Sequence, residues 1–261
     1  MDRRVDVSRL RTMLAGLLLA GMGSALAAPL SAQGGDGYLF REPRVSLSVR
    51  LGYEALMGPR SPGGETDVFG FTQDLLTIDG GDHDAPVFGG EIGLRLSDRL
   101  DLTVDVSQAR SEVVSEFRDW VDNNDLPIQQ TTTFTRRPVS FSLKYFLSER
   151  GRRVSRFAWV PREWVPYVGA GLGSTWYKFE QNGDFVDFET FEVFYDRITT
   201  TGRATTGHLL AGVQYSLGPQ FVLTGEGRYR FGSSQLGNDF IGFDDMDLSG
   251  LHFTVGMGVR F

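Results

Sequence analysis

Apolar and polar residues alternate along much of the chain, most clearly in its last segment. From Leu251 to Phe261, apolar side chains occupy every odd position, and His, Thr, Gly and Arg occupy the even ones. Successive side chains of a β-strand point to opposite faces of the sheet, so this segment predicts a strand with one apolar face. A soluble β-sandwich shows such a pattern once or twice, whereas here it recurs about eight times.

The eight alternating segments are spread over the chain after residue 43. The predicted strands lie near 44–57, 86–97, 100–107, 139–147, 167–179, 208–217, 221–231 and 251–261. Their apolar faces are almost free of polar residues, and their polar faces are rich in glycine. Because backbone groups in lipid must pair within the protein, a membrane sheet of this kind has to close into a barrel.

Charged residues lie on the polar face of these predicted strands. They are Arg50, Glu54, Glu91, Arg95, Asp101, Asp105, Lys144, Glu226, Arg228, Arg230 and Arg260. A sandwich core cannot hold so many charges, so this face must line either solvent or a polar lumen. The glycine content favours the lumen, since the interior of a small barrel is crowded.

The connections between strands are short and long in turn. Residues 97–99 and 218–220 form tight turns, whereas about 58–84, 111–130, 180–199 and 232–248 are long. Short periplasmic turns and long extracellular loops are typical of bacterial outer-membrane barrels. The sequence therefore predicts an all-β, eight-stranded antiparallel up-and-down transmembrane β-barrel with long extracellular loops, in the outer membrane of a Gram-negative-type bacterium.

Two features leave the details of this barrel open. Residues 66–78 are moderately apolar, so a ten-stranded barrel is the alternative. Residues 131–135 and 188–201 are rich in Thr, Phe and Val, which favour strands. We therefore expect the third and fourth strands, and the fifth and sixth, to continue past the membrane as protruding hairpins.

The start of the chain resembles an export signal. Its basic residues are Arg3, Arg4, Arg9 and Arg11. An apolar stretch over 13–23 follows, and residues 25–27 form an Ala-Leu-Ala cleavage motif. The apolar stretch is shorter than the roughly 20 residues of a spanning helix. We expect a signal peptide over 1–27, an N-terminal periplasmic segment over 28–43 and the barrel over 44–261.

Three segments resemble the small eight-stranded outer-membrane barrels, the OmpA-like and OmpW-like domains. They are the alternating end at Phe261, the stretch Pro166 to Gly173, and the Glu-Gly-Arg-Tyr-Arg-Phe run over 226–231. The resemblance covers about residues 44–261. It implies that the barrel-assembly machinery recognises Phe261. Because the last predicted strand ends at Phe261, we also expect no peptidoglycan-binding domain after the barrel. Outer-membrane lipids are the implied surroundings, and a monomer is expected.

Composition narrows the function classes. The chain has no Cys and a net charge of −7, and it holds 23% charged and 41% apolar residues. A disulfide-stapled miniprotein and a polybasic nucleic-acid binder are therefore excluded. The negative charge is concentrated in the predicted outer loops, which suits contact with partners or ions. Asp79, Asp82 and Asp84 do not match a calcium loop, so we predict no dedicated metal site.

The connection over residues 148–164 departs from this pattern, because it is long, periplasmic and basic. Its arginines are Arg150, Arg152, Arg153, Arg156 and Arg162. We expect it to touch anionic phospholipid headgroups of the inner leaflet. Trp159 and Trp164 fit an aromatic girdle at the membrane interface.

An enzyme is the weakest of three functional alternatives. Some small barrels modify lipids with His and Ser side chains at the outer rim. This chain has only His83, His208 and His252, and their spacing assembles no Ser/His/acid group. We therefore predict no catalytic residue, no cofactor and no metal.

The other two alternatives are a structural or surface-exposed barrel and a narrow channel for small solutes. An eight-stranded barrel is just wide enough to be filled by its own side chains. The lumen charges are nearly balanced, which favours ion pairs over a filter of one sign. The predicted ion-pair network consists of Arg50, Glu54, Glu91, Arg95, Asp105, Glu226, Arg228, Arg230 and His252. His252 would either adjust this plug in mildly acidic solution or belong to a static interior.

Overall fold

The computed structural model describes residues 37–60, 67–122, 124–236 and 242–261. The predicted signal peptide and residues 28–36 of the predicted N-terminal segment lie outside these residues. No helix within the described ranges is long and apolar enough to cross a bilayer.

Twelve strands and one α-helix are found in this part of the chain. They are β1 (Val45–Leu56), α1 (Val68–Leu75), β2 (Ala85–Arg95), β3 (Leu100–Val121), β4 (Pro127–Phe146), β5 (Gly151–Ser155), β6 (Ala158–Pro161), β7 (Trp164–Val186), β8 (Val193–Ser216), β9 (Phe221–Phe231), β10 (Ser233–Ser234), β11 (Met246–Asp247) and β12 (Gly250–Arg260). Eight of them close an antiparallel barrel in the order β1-β2-β3-β4-β7-β8-β9-β12. The first and last strands pair from Ser46 with Arg260 to Leu56 with Gly250. The predicted eight-stranded up-and-down barrel is confirmed.

The barrel is inside out compared with a soluble protein. On β1, Arg50 and Glu54 are buried, whereas the intervening Leu51 is 69% exposed. Leu172 and Phe141 are likewise exposed on β7 and β4. Alternation thus sends charge inward and apolar groups outward, as a lipid-facing wall requires. The interior is so crowded that a Cβ atom at Gly171 would lie 2.1 Å from a backbone oxygen of the neighbouring strand.

The barrel strands have unequal lengths. β3, β4, β7 and β8 have 20 to 24 residues, whereas the other four have 11 or 12. At one end, which we term the turn end, short connections join β2 to β3 and β8 to β9, and the β5–β6 hairpin joins β4 to β7. The additional residues therefore project at the opposite, loop end, where β3–β4 and β7–β8 form the expected hairpins.

Residues 67–84 differ from both expectations, a solvated loop and an extra strand. They form α1 and a short 3₁₀ turn, Gly80–His83. The helix begins at Asp67, whose carboxylate accepts hydrogen bonds from the backbone N–H groups of Phe69 and Gly70 at 3.4 and 3.0 Å. The apolar residues of this region belong to a helix face, so the ten-stranded alternative is wrong.

An apolar core lies under this helix at the loop end, and we call it the cap core. Its buried residues are Leu56, Val68, Phe69, Phe134, Tyr177, Phe179, Ala204, Met246 and Leu248. Phe69 packs against the rings of Phe134 and Phe179, with centroids 6.0 and 6.4 Å apart. His83 also packs on Phe69, at 5.0 Å. Inward side chains of the tall strands and the connection after β1 together fill the mouth of the barrel.

The turn end is closed by the predicted basic connection. β5 and β6 form a hairpin there, and Leu39 exchanges two backbone hydrogen bonds with Trp159, at 2.9 and 2.8 Å. Arg153 pairs with Glu42 at 3.0 Å. The hairpin therefore fixes the described part of the N-terminal segment against the barrel.

Candidate functional site

Charged side chains from five strands meet halfway along the lumen, in what we call the central network. It consists of Arg50, Glu91, Asp105, Lys144, Tyr167, Glu226 and Arg228. The strand register brings these inward positions to similar depths, because Arg50 pairs with Gly89 and Glu91 with Asp105. All are buried except Glu91, which is half-buried.

Glu226 is the centre of this network. Its carboxylate lies 2.8 Å from Arg50 Nη2, 2.7 Å from Lys144 Nζ and 2.9 Å from Arg228 Nη2. The Tyr167 hydroxyl also donates to it, at 2.9 Å. Three cations and a phenol therefore surround one buried anion. Such crowding satisfies the lone pairs of a buried carboxylate.

Two further carboxylates balance the cations. Glu91 accepts from Arg50 Nη1 at 2.9 Å and from Lys144 Nζ at 2.8 Å. Asp105 accepts from Arg228 Nη1 at 3.1 Å. Three cations thus face three anions. Mutual neutralisation of this kind is the condition under which buried charges are tolerated.

A second cluster, the upper network, lies between the central network and the cap core. Glu54 accepts from Arg136 Nε at 2.7 Å and from Arg230 Nη1 at 3.2 Å, and His252 Nε2 lies 2.5 Å from its carboxylate. Arg136 also donates to the backbone oxygen of His83, at 3.1 Å. The upper network is therefore hydrogen-bonded directly to the loop that covers the mouth.

Arginines at the turn end have partners of their own. Arg150 enters the lumen, contacts Asp101 at 2.5 Å and stacks over Phe146 at 4.5 Å. Burial lowers the pKa of Arg150, although the Asp101 carboxylate acts in the opposite direction. Arg260 donates to the backbone oxygen of Pro219 at 2.8 Å. Arg150 is thus fixed inside the barrel, whereas the other four arginines of the basic connection are exposed, and their contact with headgroups stays a prediction.

Eight of the nine residues predicted for the lumen network lie in the central and upper networks. The ninth, Arg95, lies at the turn end and pairs with Glu42 and with Asp98, the latter at 3.0 Å. Its inclusion in the network was wrong, because β2 ends there and the side chain reaches the N-terminal segment and the adjoining turn.

Sequence reasoning missed Arg136 and Tyr167. Arg136 is in phase with the inward positions 140, 142 and 144 of β4, but Pro138 and the neighbouring Arg137 obscure the alternation. Tyr167 is in phase with inward glycines of β7. Its aromatic ring counts as apolar in the sequence pattern, so its hydroxyl was not recognised as a polar group of the lumen. Extension of the inward alternation by four residues before Ser140, and by two before Gly169, reaches both.

The structure also brings Ser142 and His208 together. The Ser142 hydroxyl lies 2.8 Å from His208 Nε2, and both residues are buried. The other ring nitrogen of His208 has no hydrogen-bond partner in the described part of the chain. A nucleophilic serine needs a histidine oriented by a third group and access for substrate. This pair lacks both.

Little empty space remains among these side chains. The void bordered by Arg50, Asp105, Glu226 and His252 has a volume of about 10 Å³, roughly that of one water-sized probe. Across the described ranges, no three His, Asp or Glu residues converge as a metal site requires. The arrangement is suited to filling a lumen, since its polar groups bind one another.

A closed antiparallel barrel with an apolar outer wall and a charged interior is the architecture of a transmembrane β-barrel. Residues 15–261 match the family described as outer membrane protein beta-barrel domain. The chain belongs to this family, and its location is the bacterial outer membrane. The turn end is therefore periplasmic and the loop end extracellular. No curated protein matches the chain.

The chain is similar to several solved structures. Neisserial surface protein A is 13% identical over 88% of this chain and 100% of that one, with a TM-score of 0.45. OprG from Pseudomonas aeruginosa is 12% identical over 85% and 99%, with a TM-score of 0.44. Ail from Yersinia pestis is 15% identical over 85% and 100%, with a TM-score of 0.40.

Proposed function

We propose that this protein is a non-conducting barrel that presents a contact surface outside the cell. The observation that carries the proposal is the closure of its interior at successive levels. Glu226 binds three cations in the central network, Glu54 binds two arginines and a histidine above it, and the cap core covers both. A solute passing through the lumen would have to break all of these contacts.

The extracellular hairpins end in an exposed aromatic cluster. Trp120 at the end of β3 stacks on Phe191, with centroids 5.5 Å apart, and contacts Phe188 at 6.1 Å. Phe191 is nevertheless 64% exposed. It has a φ of 59°, a left-handed conformation that costs non-glycine residues about 1–2 kcal/mol. Exposed apolar patches with polar rims are typical of interaction sites.

The two hairpin tips that carry this aromatic cluster also carry six carboxylates. They are Asp119, Asp122, Asp125, Asp187, Glu189 and Glu192. Hydrogen bonds from the backbone N–H groups of Leu126 and Asn124 lower the pKa of Asp122. Those from Glu189 and Thr190 lower the pKa of Asp187. Both groups are therefore charged at neutral pH, and the tip suits a partner with apolar and cationic groups.

Binding to coated beads tests the contact surface. Cells expressing the wild type should retain beads coated with an amphipathic Lys/Leu peptide more strongly than beads coated with a Glu/Leu peptide. Replacement of both Trp120 and Phe191 by Ser should lower the retention of the Lys/Leu beads, because it removes the apolar part of the surface, whereas Phe40→Ser at the periplasmic end should leave the retention unchanged. Equal retention by wild type and tip variant would contradict the proposed surface.

Planar-bilayer recordings test the absence of conduction. We expect no discrete current steps from the wild type at pH 7 or pH 5, because neither the central network nor the cap core depends on His252. Steps at either pH would favour the alternative, a narrow channel for small solutes. Steps at pH 5 alone would favour a plug adjusted by His252.

The periplasmic end carries a separate proposal about assembly. Phe261 is exposed, and its backbone N–H donates to the oxygen of Val45 at 3.0 Å. We propose that its side chain is recognised by the barrel-assembly machinery. Phe261→Ala should lower the amount of folded protein in the outer membrane without lowering its synthesis.

A further inference from the structure

The outer wall carries arginines at one level of the tall strands. Arg137 on β4, Trp176 on β7 and Arg203 on β8 form one row, since Trp176 pairs in register with both arginines. All three side chains are exposed. A groove of about 550 Å³ runs across this row and is also lined by Thr135, Lys178 and Thr201. We call it the wall groove.

The height of the wall groove follows from β7. Trp164, which stacks on Tyr215 at 4.5 Å, lies at the periplasmic end of the same outer face, twelve residues before Trp176. At about 3.4 Å per residue and a tilt of about 40°, these residues are separated by roughly 30 Å along the membrane normal. This is about the thickness of the hydrocarbon layer, and exposed Leu172 and Val168 lie between them. The groove is therefore level with the outer-leaflet headgroups.

Both arginines are held in place by hydrogen bonds from their Nε atoms. Arg137 Nε donates to Gln108 Oε1 at 2.8 Å, and Arg203 Nε donates to Ser174 Oγ at 2.6 Å. The Arg203 guanidinium also lies over the Trp176 ring, 5.0 Å from its centroid. Among the described residues, each guanidinium donates only through its Nε atom and only to a neutral oxygen. The two terminal nitrogens of each group can therefore form a fork toward a ligand.

Neighbouring cations on the same wall are neutralised. Lys178 pairs with Glu180, and Arg110 pairs with Glu112 at 2.6 Å. In contrast, no carboxylate lies within ion-pair distance of Arg137 or Arg203 among the described residues. Two uncompensated guanidinium groups, two strands apart, thus face the headgroup layer.

We propose that the wall groove binds a phosphate group of an outer-leaflet glycolipid. Guanidinium forks match the geometry of phosphate oxygens. Basic pockets at headgroup level are suited to anionic lipid heads. The acyl chains of such a lipid would lie on the apolar wall directly below, along Phe141 and Leu172. The lipid, and not a free ion, is the ligand, because the groove is continuous with this wall.

Native mass spectrometry of the purified protein in phosphatidylcholine nanodiscs tests the site. The probes are lipid A, which carries phosphate groups, and lipid A from which both phosphates have been removed. We expect the wild type to retain lipid A about tenfold more than the dephosphorylated probe. The double variant Arg137→Gln and Arg203→Gln should lose this preference. Arg110→Gln is the matched control and should retain it, because Arg110 is already paired.

Three outcomes of these retention measurements would overturn the proposal. They are equal retention of both probes by the wild type, an unchanged preference in the double variant, and an equal loss in the Arg110→Gln control. Displacement of lipid A by millimolar inorganic phosphate would also overturn it, since that would define an ion site. Both arginines are exposed, so the double variant should still fold and keep the electrophoretic mobility of the folded barrel. With that mobility verified, a loss of lipid A retention reflects weaker binding and not unfolding.

Discussion

The middle of the lumen and its extracellular mouth are filled by opposite kinds of side chain. The central network buries three cations and three carboxylates that neutralise one another, whereas the cap core buries aromatic and aliphatic groups around Phe69. The network belongs to the barrel wall alone. The cap core also uses the connection after β1 and the strands that project past the membrane. The lumen is therefore closed by ion pairs in its middle and by apolar packing at its mouth.

Because of this difference, substitutions in the two regions should destabilise the protein in different ways. Removal of one partner from the network leaves a buried charge without compensation, which is costly throughout the barrel. Loss of packing in the cap core leaves a cavity at a peripheral layer, and that layer can open while the barrel remains closed.

The largest expected effect is that of Glu226→Ala. This change leaves Arg50, Lys144 and Arg228 facing one another with one fewer anion, so the free energy of unfolding should fall by at least about 3–5 kcal/mol. Urea unfolding, followed by the mobility of the folded barrel in electrophoresis, measures it. Glu112→Ala removes an exposed carboxylate and should cost no more than about 1 kcal/mol. Similar costs for both variants would contradict the role given to the central network.

Phe69→Ala should act next most strongly, and locally. Truncation of a buried phenylalanine costs about 3–5 kcal/mol, and here that loss should appear as opening of the cap. Proteolysis of intact cells should cleave residues 67–84 faster, while the barrel keeps its folded mobility. Phe71→Ala, at an exposed position of the same helix, is the control. Global unfolding by Phe69→Ala would show that cap and barrel are a single cooperative unit.

A substitution on the lipid-facing wall of the barrel should have an intermediate effect on stability. Val255→Arg places a charge in the middle of β12 on the lipid side, and it should destabilise the folded barrel by about 2–4 kcal/mol. The same change at the exposed extracellular end of β3, Val121→Arg, should have little effect. Equal tolerance at both positions would contradict the assignment of the outer face to lipid.

His252→Gln should have the smallest effect, about 1 kcal/mol or less. A glutamine amide can still donate to Glu54, which keeps its contacts with Arg136 and Arg230. Urea unfolding of the variant measures this. A loss as large as that of Glu226→Ala would show that the imidazole of His252 is an essential member of the upper network.

The sequence predicted the two interior regions unequally. Alternation over β1, β9 and β12 correctly predicted that Glu54, Arg228 and His252 point inward. Side chains of a strand alternate between its two faces whatever element packs against it, so this pattern can be found in the sequence alone. Alternation could not identify Arg136, because Pro138 interrupts the pattern on β4. It also could not predict the cap core, since Phe69 and Phe134 come from elements whose proximity depends on how a long connection folds back.

The most direct test of closure at two levels is single-channel conductance of variants that open one level each. Phe69→Ala opens the cap, and the double variant Glu54→Ala and Glu226→Ala weakens the ion-pair networks. The account predicts no current steps from the wild type or from Phe69→Ala, because the networks below the cap still fill the lumen, and none from the double variant, because its cap remains closed. Current steps from the Phe69→Ala barrel in its folded form would show that the charged lumen is open, and would contradict the account.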